Sequence, residues 1–128
     1  LTASDTLEHL DYLVQELPEV AFHIAAKTNV SDYLESFNHY ENVNIYTNVH
    51  HDDILEDLLN RADIYLDINH WGEVDNIVGR ALEIGKPVFS FETVVHRRNE
   101  NVRVFSLEDK ESMINSIRHQ LANDENGD

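Results

Sequence analysis

The chain has 128 residues, with 25 Asp+Glu against 9 Lys+Arg and a formal net charge of −16. That length admits one domain with a real core, and 41% hydrophobic residues are too many for a disordered acidic tail. The charge argues against a nucleic-acid polymer as partner, because phosphate binding needs a basic face. The absence of cysteine excludes a disulfide scaffold and a thiolate metal site. No apolar run is long enough to span a bilayer and no signal segment opens the chain, so a cytoplasmic location is expected. The first residue is Leu1, which reads as a domain excised from a longer protein.

Asp5-Thr6-Leu7-Glu8 has capping-box spacing, and Leu7, Leu10, Leu13, Val14 and Leu17 follow helical spacing until Pro18. Residues 20–26 are short and mostly apolar and predict a buried strand. Ser31 can cap a short helix carrying Tyr33, Leu34 and Phe37. Residues 43–46 predict a second strand. Asp52 or Asp53 opens a helix with Ile54, Leu55, Leu58 and Leu59 inward. Residues 63–68 alternate polar and apolar and predict a third strand.

Asn69 to Glu73 form a loop. The helix after it carries Val74, Ile77, Val78, Ala81 and Leu82 on one stripe and stops at Gly85. Residues 88–91 predict a fourth strand, 92–101 a polar loop and 102–105 a fifth strand. Ser106 caps a last helix with Met113, Ile114, Ile117 and Leu121 inward. Residues 1–122 form the domain and 123–128 a flexible tail. The alternation predicts an α/β fold, a Rossmann-like three-layer sandwich with one parallel sheet of about five strands.

In such folds ligands bind beyond the carboxyl ends of the strands. The loops at 26–31, 47–52, 69–76 and 92–101 are therefore the places to inspect. Charge singles out the last. Residues 1–60 hold twelve acids and one base, Lys27, whereas residues 80–103 carry Arg80, Lys86, Arg97, Arg98 and Arg103 against three acids. An acidic body with one basic segment can aim that segment at a small anion.

Gly72 lets backbone approach a ligand, and the following helix N-terminus offers N–H groups to a phosphate. Glu73, Asp75 and Asn76 suit sugar hydroxyls, which donate to carboxylate and amide oxygens. An ordinary acidic helix start accounts for the same residues. Trp71, the sole tryptophan, can stack on a base or pack over the sheet edge. His96, beside Arg97 and Arg98, can donate to a phosphate. His50-His51-Asp52-Asp53 holds metal-ligand residue types without ligand spacing, so no metal site is expected. Asn29-Val30-Ser31 spells a glycosylation sequon, without a secretion signal to give it meaning.

The runs "PEVAFHIAA", "NVNIYTNVHHDDILEDLLNRADIYLDINHWGEVDNIVGRALEIGKPVFSF" and "RVFSLEDKESMINSIRHQLAN" resemble the carboxy-terminal half of a GT-B glycosyltransferase, over about residues 2–122. "LPEVAFHIAA" and "IYLDINH" resemble, more narrowly, bacterial enzymes that glycosylate surface adhesins, including the accessory-secretion glycosyltransferase complex of streptococci. The resemblance implies a nucleotide-sugar donor, UDP-linked, held by this half as substrate, with no further cofactor. It implies transfer of a hexose or N-acetylhexosamine to a protein or glycan acceptor. The acceptor would bind a separate amino-terminal half or a partner subunit.

It also implies donor-binding roles for Asn69, His70, Trp71, Gly72, Val74, Asn76, Arg80, His96, Arg97 and Arg98. Retaining members carry two glutamates with seven residues between them. Here the first position falls at Gly72, with Glu73 beside it as the candidate catalytic residue, and the second falls at Arg80. The basic pair that such enzymes place before the first helix, and its strand, would lie upstream of Leu1, and the isolated half would not transfer sugar.

The Arg80 departure supports a second reading, a non-catalytic glycosyltransferase-like subunit that binds a partner enzyme or acceptor protein. A third is a nucleoside deoxyribosyltransferase-like enzyme, suggested by Gly79-Arg80-Ala81-Leu82-Glu83-Ile84-Gly85-Lys86-Pro87-Val88. It lacks the nucleophilic glutamate, whose place Ile77 takes. A phospho-receiver domain fits the alternation but lacks an acidic pair after the first strand.

Overall fold

The computed structural model describes residues 1, 7–29, 31–49, 51–69, 74 and 76–125, with side chains through 122. Its elements follow in the order α1 (Leu10–Glu16), β1 (Phe22–Ala25), α2 (Asp32–Glu35), β2 (Val43–Tyr46), α3 (Asp52–Arg61), β3 (Tyr65–Asp67), α4 (Ile77–Glu83), β4 (Val88–Phe91), β5 (Val102–Phe105) and α5 (Lys110–Glu125). Short 3-10 turns at Ser36–His39 and Leu107–Asp109 follow α2 and precede α5. Within the described residues, no helix is long and apolar enough to cross a membrane.

All strand pairs are parallel, as expected, but they form two sheets instead of one. β1 pairs with β2, Ile24 opposite Ile45. β4 is the centre of β3-β4-β5, with Ser90 opposite Asp67 and Val104. Helices cover both faces. On one, α1, the α2 turn and α5 bury Leu10, Leu13, Leu34, Met113 and Ile117 against Phe22, Ile24, Phe89 and Phe91. On the other, α3 and α4 bury Leu55, Leu59, Ile77, Val78 and Ala81 against Tyr65, Val88 and Val102. β4 is buried at all four residues because it is covered from both sides.

Capping chemistry sets several boundaries. The Ser31 hydroxyl accepts from the Leu34 amide at 3.3 Å, and Ser106 accepts from Glu108 at 3.2 Å. Gly85, at φ 77°, ends α4 in the left-handed conformation that glycine adopts without a Cβ penalty.

Three sequence expectations change. The first helix starts at Leu10, with His9 as its left-handed N-cap. Leu7 instead bridges Asn69, and the Glu8 amide donates to the Ile68 carbonyl at 2.8 Å. Leu7 fits helical spacing only because it too is buried; the Asp5-Thr6 part of the capping box lies outside the described residues. Ile54 does not face inward. It is 46% exposed, because it lies about 100° round the helix from Leu55, off the stripe that Leu55 and Leu59 share. The tail expected from residue 123 is helical through Glu125.

The end of α1 is held by residues far away in sequence. Asn42 donates from Nδ2 to the carbonyls of Val14 and Leu17, each at 3.1 Å. Arg118 donates to the Glu16 carbonyl at 2.8 Å and to Glu19 at 2.7 Å. This guanidinium contact holds the Glu19 carboxyl below its usual range. Replacing Asn42 with alanine removes its donor from two helix-end carbonyls, of which Leu17 keeps the Val20 amide at 3.0 Å. We expect a loss of about 1–2 kcal/mol, read as a fall in thermal midpoint of roughly 4–7 °C; an unchanged midpoint would assign the helix end to Arg118 alone.

Candidate functional site

The carboxyl end of β3, beside that of β4, carries a buried acid that is tied to the basic loop. Asp67, the last residue of β3, is only 2% exposed. Its two oxygens both engage His96: Oδ2 accepts the backbone N–H at 2.9 Å and Oδ1 meets ring Nδ1 at 2.5 Å. A carboxylate oxygen accepts, so the ring is held by donation from Nδ1, with Nε2 at its far side. The main chain beneath is fixed by Ser90, fully buried, whose hydroxyl donates to the Asp67 carbonyl at 2.5 Å. His96 is thus set in position by two adjacent strands and two side chains.

The loop that brings His96 there is anchored at its start. The Glu92 amide donates to the Phe105 carbonyl at 2.9 Å, the Val94 amide donates to Phe91 at 3.1 Å, and Val94 is buried. Arg97, next along, reaches across to α4 and donates from its guanidinium to the Asn76 side-chain oxygen. Asn76 is the left-handed N-cap of α4. Arg98 is exposed. His96, Arg97 and Asn76 therefore converge where β3 and β4 end and α4 begins.

Gly79 makes this convergence possible. A Cβ there would stand 2.7 Å from Asn76 Oδ1 and 3.2 Å from the Arg97 guanidinium carbon. For Gly79→Ala we expect a displaced Asn76 amide and a broken Arg97 contact, while helix propensity offsets the cost to about 1 kcal/mol or less. Shifted Asn76 side-chain NMR signals with little change in thermal midpoint would report it; unshifted signals would contradict the close approach.

The other candidate residues are placed differently. Arg80 turns toward α3, with guanidinium nitrogens 3.7 Å from Asp52 and 3.8 Å from Glu56. Asn69 is buried and donates from Nδ2 to the Leu1 carbonyl at 2.6 Å. The Val74 carbonyl accepts from the Ile77 amide at the start of α4. His70, Trp71, Gly72, Glu73 and Asp75 lie outside the described residues, as do Val30 of the sequon and His50. His51 is the exposed N-cap of α3 and makes no side-chain cap bond. Asp67 and Ser90 were missed from the sequence. A mid-strand acid read as the outward member of an alternating strand, and its partner is 29 residues away.

The arrangement pairs a rigidly held imidazole with a guanidinium and an amide at a helix start. Such groups donate hydrogen bonds and positive charge to an anion. The family model that matches residues 1–128 is described as the GftB/GlyA-F C-terminal domain. Glycosyltransferase GlyB of Streptococcus pneumoniae is 39% identical over 91% of this chain and 29% of its own length. The UDP-N-acetylglucosamine–peptide N-acetylglucosaminyltransferase stabilizing protein GtfB of Streptococcus agalactiae is 45% identical over 77% of this chain and 22% of its own length. The chain thus spans less than a third of these relatives. Among solved structures, the GtfA/B complex bound to UDP and GlcNAc matches with a TM-score of 0.79 and 37% identity, over 92% of this chain and 27% of that one. Glycosyltransferase GlyE of Streptococcus pneumoniae matches with a TM-score of 0.81 and 30% identity, over 90% and 29%.

Proposed function

The chain belongs to the GftB/GlyA-F C-terminal domain family, and from that premise we propose that it binds the diphosphate of a nucleotide sugar at the His96, Arg97 and Asn76 convergence. The observation that carries this reading is the buried Asp67 gripping His96 by ring and main chain at the strand ends. A surface histidine needs no such fixing; one that must meet a ligand at a set position does. Arg97 supplies charge beside it, and the acidic remainder of the chain makes this the place where an anion is least repelled.

The donor is proposed to be UDP-linked, since one of the similar structures is described as bound to UDP and GlcNAc. Glu73 is proposed to stand near the transferred sugar. The acceptor side, a protein or glycan, is assigned to the remainder of a longer protein or to a partner subunit. Transfer itself would need that second half.

A second reading has a specific observation in its favour. A similar protein is named a stabilizing protein, and Arg80, at the position where retaining enzymes hold a ribose, is paired with Asp52 and Glu56. In that reading the domain serves a partner glycosyltransferase and holds no donor.

Calorimetric titration separates the two. UDP is expected to bind and uridine to bind far more weakly, because the diphosphate carries the charge. Arg97→Ala should weaken UDP by about 10–100-fold, the worth of a hydrogen bond to a charged group. No heat with UDP at several millimolar would overturn donor binding and favour the partner-binding reading.

A further inference from the structure

The basic segment of the sequence is divided between the two ends of the β3-β4-β5 sheet. Arg97 and Arg98 follow the carboxyl end of β4. Lys86 and Arg103 lie at the opposite end, where a cavity of about 320 Å³ opens beside Pro87, just before β4, and Asn101, just before β5. Leu82 and Gly85 at the end of α4 and Gln120 of α5 complete its wall. That volume stands at the low end of ligand pockets, which run from about 300 to 1,000 Å³.

Both cations are held in place. α4 closes with a Schellman turn, in which the Gly85 amide donates to the Leu82 carbonyl at 3.1 Å and the Lys86 amide to the Ala81 carbonyl at 2.9 Å. The Lys86 ammonium donates to the Asn60 carbonyl near the end of α3 at 2.9 Å, which uses one of its three N–H groups. Arg103 stands opposite Phe89 in the β4–β5 register, and its guanidinium carbon lies 5.6 Å from the centre of that ring. Phe105 packs on the same ring edge-on, with centroids 5.8 Å apart. A guanidinium over an aromatic face keeps its in-plane fork of donors for a carboxylate. Neither Lys86 nor Arg103 forms an ion pair among the described residues, whereas Arg61, Arg80 and Arg118 each do.

We propose that this pocket docks an acidic peptide segment of a partner protein, with one of its carboxylates on Lys86 and Arg103. Charge complementarity names the occupant. Two cations are fixed in one pocket without an internal acid to neutralise them, in a chain that holds 25 acids. Glu100 stands on the same wall. Two cations against one acid suit a singly charged carboxylate better than a phosphate dianion. The Asn101 and Gln120 carboxamides both donate and accept, as a peptide main chain requires, and Leu82 and Pro87 offer an apolar wall to a neighbouring aliphatic side chain. Physiological salt screens exposed charges beyond about 8 Å, so the acidity elsewhere on the chain does not cancel this local excess. The inference does not depend on nucleotide binding at the other end of the sheet.

The test titrates the isotopically labelled chain with the blocked peptide acetyl-Leu-Asp-Glu-Leu-amide, and with acetyl-Leu-Asn-Gln-Leu-amide as its uncharged counterpart. The acidic peptide is expected to shift the Arg103 guanidinium, the Lys86 amide and the Asn101 and Gln120 carboxamides saturably, and the uncharged peptide to bind at least about 10-fold more weakly. Arg103→Gln and Lys86→Gln should each weaken the acidic peptide by about 3–10-fold. Lys86→Gln leaves the Phe89 packing untouched, so it keeps the test open if Arg103→Gln disturbs the sheet. Lys110→Gln, which removes a cation at the start of α5, past the carboxyl end of β5, should change nothing. Unmoved signals at several millimolar acidic peptide would overturn the proposal, as would equal binding of the two peptides or an equal loss in Lys110→Gln. Inorganic phosphate or UDP shifting the same four residues as tightly as the peptide would also overturn it, by marking a general anion patch.

Discussion

Asp67→Ala is expected to lower stability by about 1–3 kcal/mol, a fall of roughly 4–10 °C in thermal midpoint, and to remove UDP binding. The cause is accounting of buried polar groups. Asp67 satisfies the His96 main-chain N–H and the ring Nδ1 together. Alanine leaves both without that acceptor, next to the fully buried Ser90. Asp67→Asn separates the two roles. Its amide oxygen can still accept from the main chain, so the fold should lose only about 1 kcal/mol. Its NH₂ cannot accept from Nδ1–H, so the ring is no longer held. Denaturation and UDP titration of both variants check this. Full UDP affinity in a folded Asp67→Asn protein would make the His96 grip purely structural.

Phe91→Ala is expected to be the most damaging of these substitutions, at about 3–5 kcal/mol. That is a large share of the 5–15 kcal/mol that holds a typical domain together. Phe91 is fully buried at the carboxyl end of the central strand. It belongs to the larger core cluster, and its ring meets that of His9 edge-on with centroids 5.3 Å apart. Its carbonyl also accepts the Val94 amide that starts the His96 loop. The cavity left by alanine should therefore unfasten α1 from β4 and loosen the site with it. Phe91→Leu, which keeps most of the volume, should cost less than about half as much. A thermal midpoint within about 3 °C of the parent for Phe91→Ala would show that this core can close over the loss.

Local chemistry made much of the fold legible. Short apolar runs bounded by polar turns mark all five strands, and β2, β4 and β5 begin and end at the residues expected. Ser31, Gly85 and Ser106 punctuate as their chemistry requires. What escaped is what depends on distant neighbours. Leu7 has the spacing of a helix but is buried by a bridge to Asn69. The division into two sheets comes from which edges meet, and no periodicity records that. The site was half visible. His96, Arg97 and Asn76 stood out as polar residues in loops at strand ends, and the structure joins Arg97 to Asn76. Asp67 did not stand out, because an acid in an alternating strand looks solvent-facing until its partner arrives 29 residues later. Arg80 was grouped with the basic segment by sequence, yet α4 presents it to the carboxylates of α3.

The central claim, an anion site for a nucleotide diphosphate at the strand ends, is tested most directly by adding UDP to the isotopically labelled chain and following its NMR signals. The predicted result is a saturable shift of the His96 ring, the Arg97 guanidinium and the Asn76 side chain, with α5 and the Arg118–Glu19 pair unmoved. Unmoved signals at all three residues at several millimolar UDP would contradict the account, as would shifts centred away from the ends of β3 and β4.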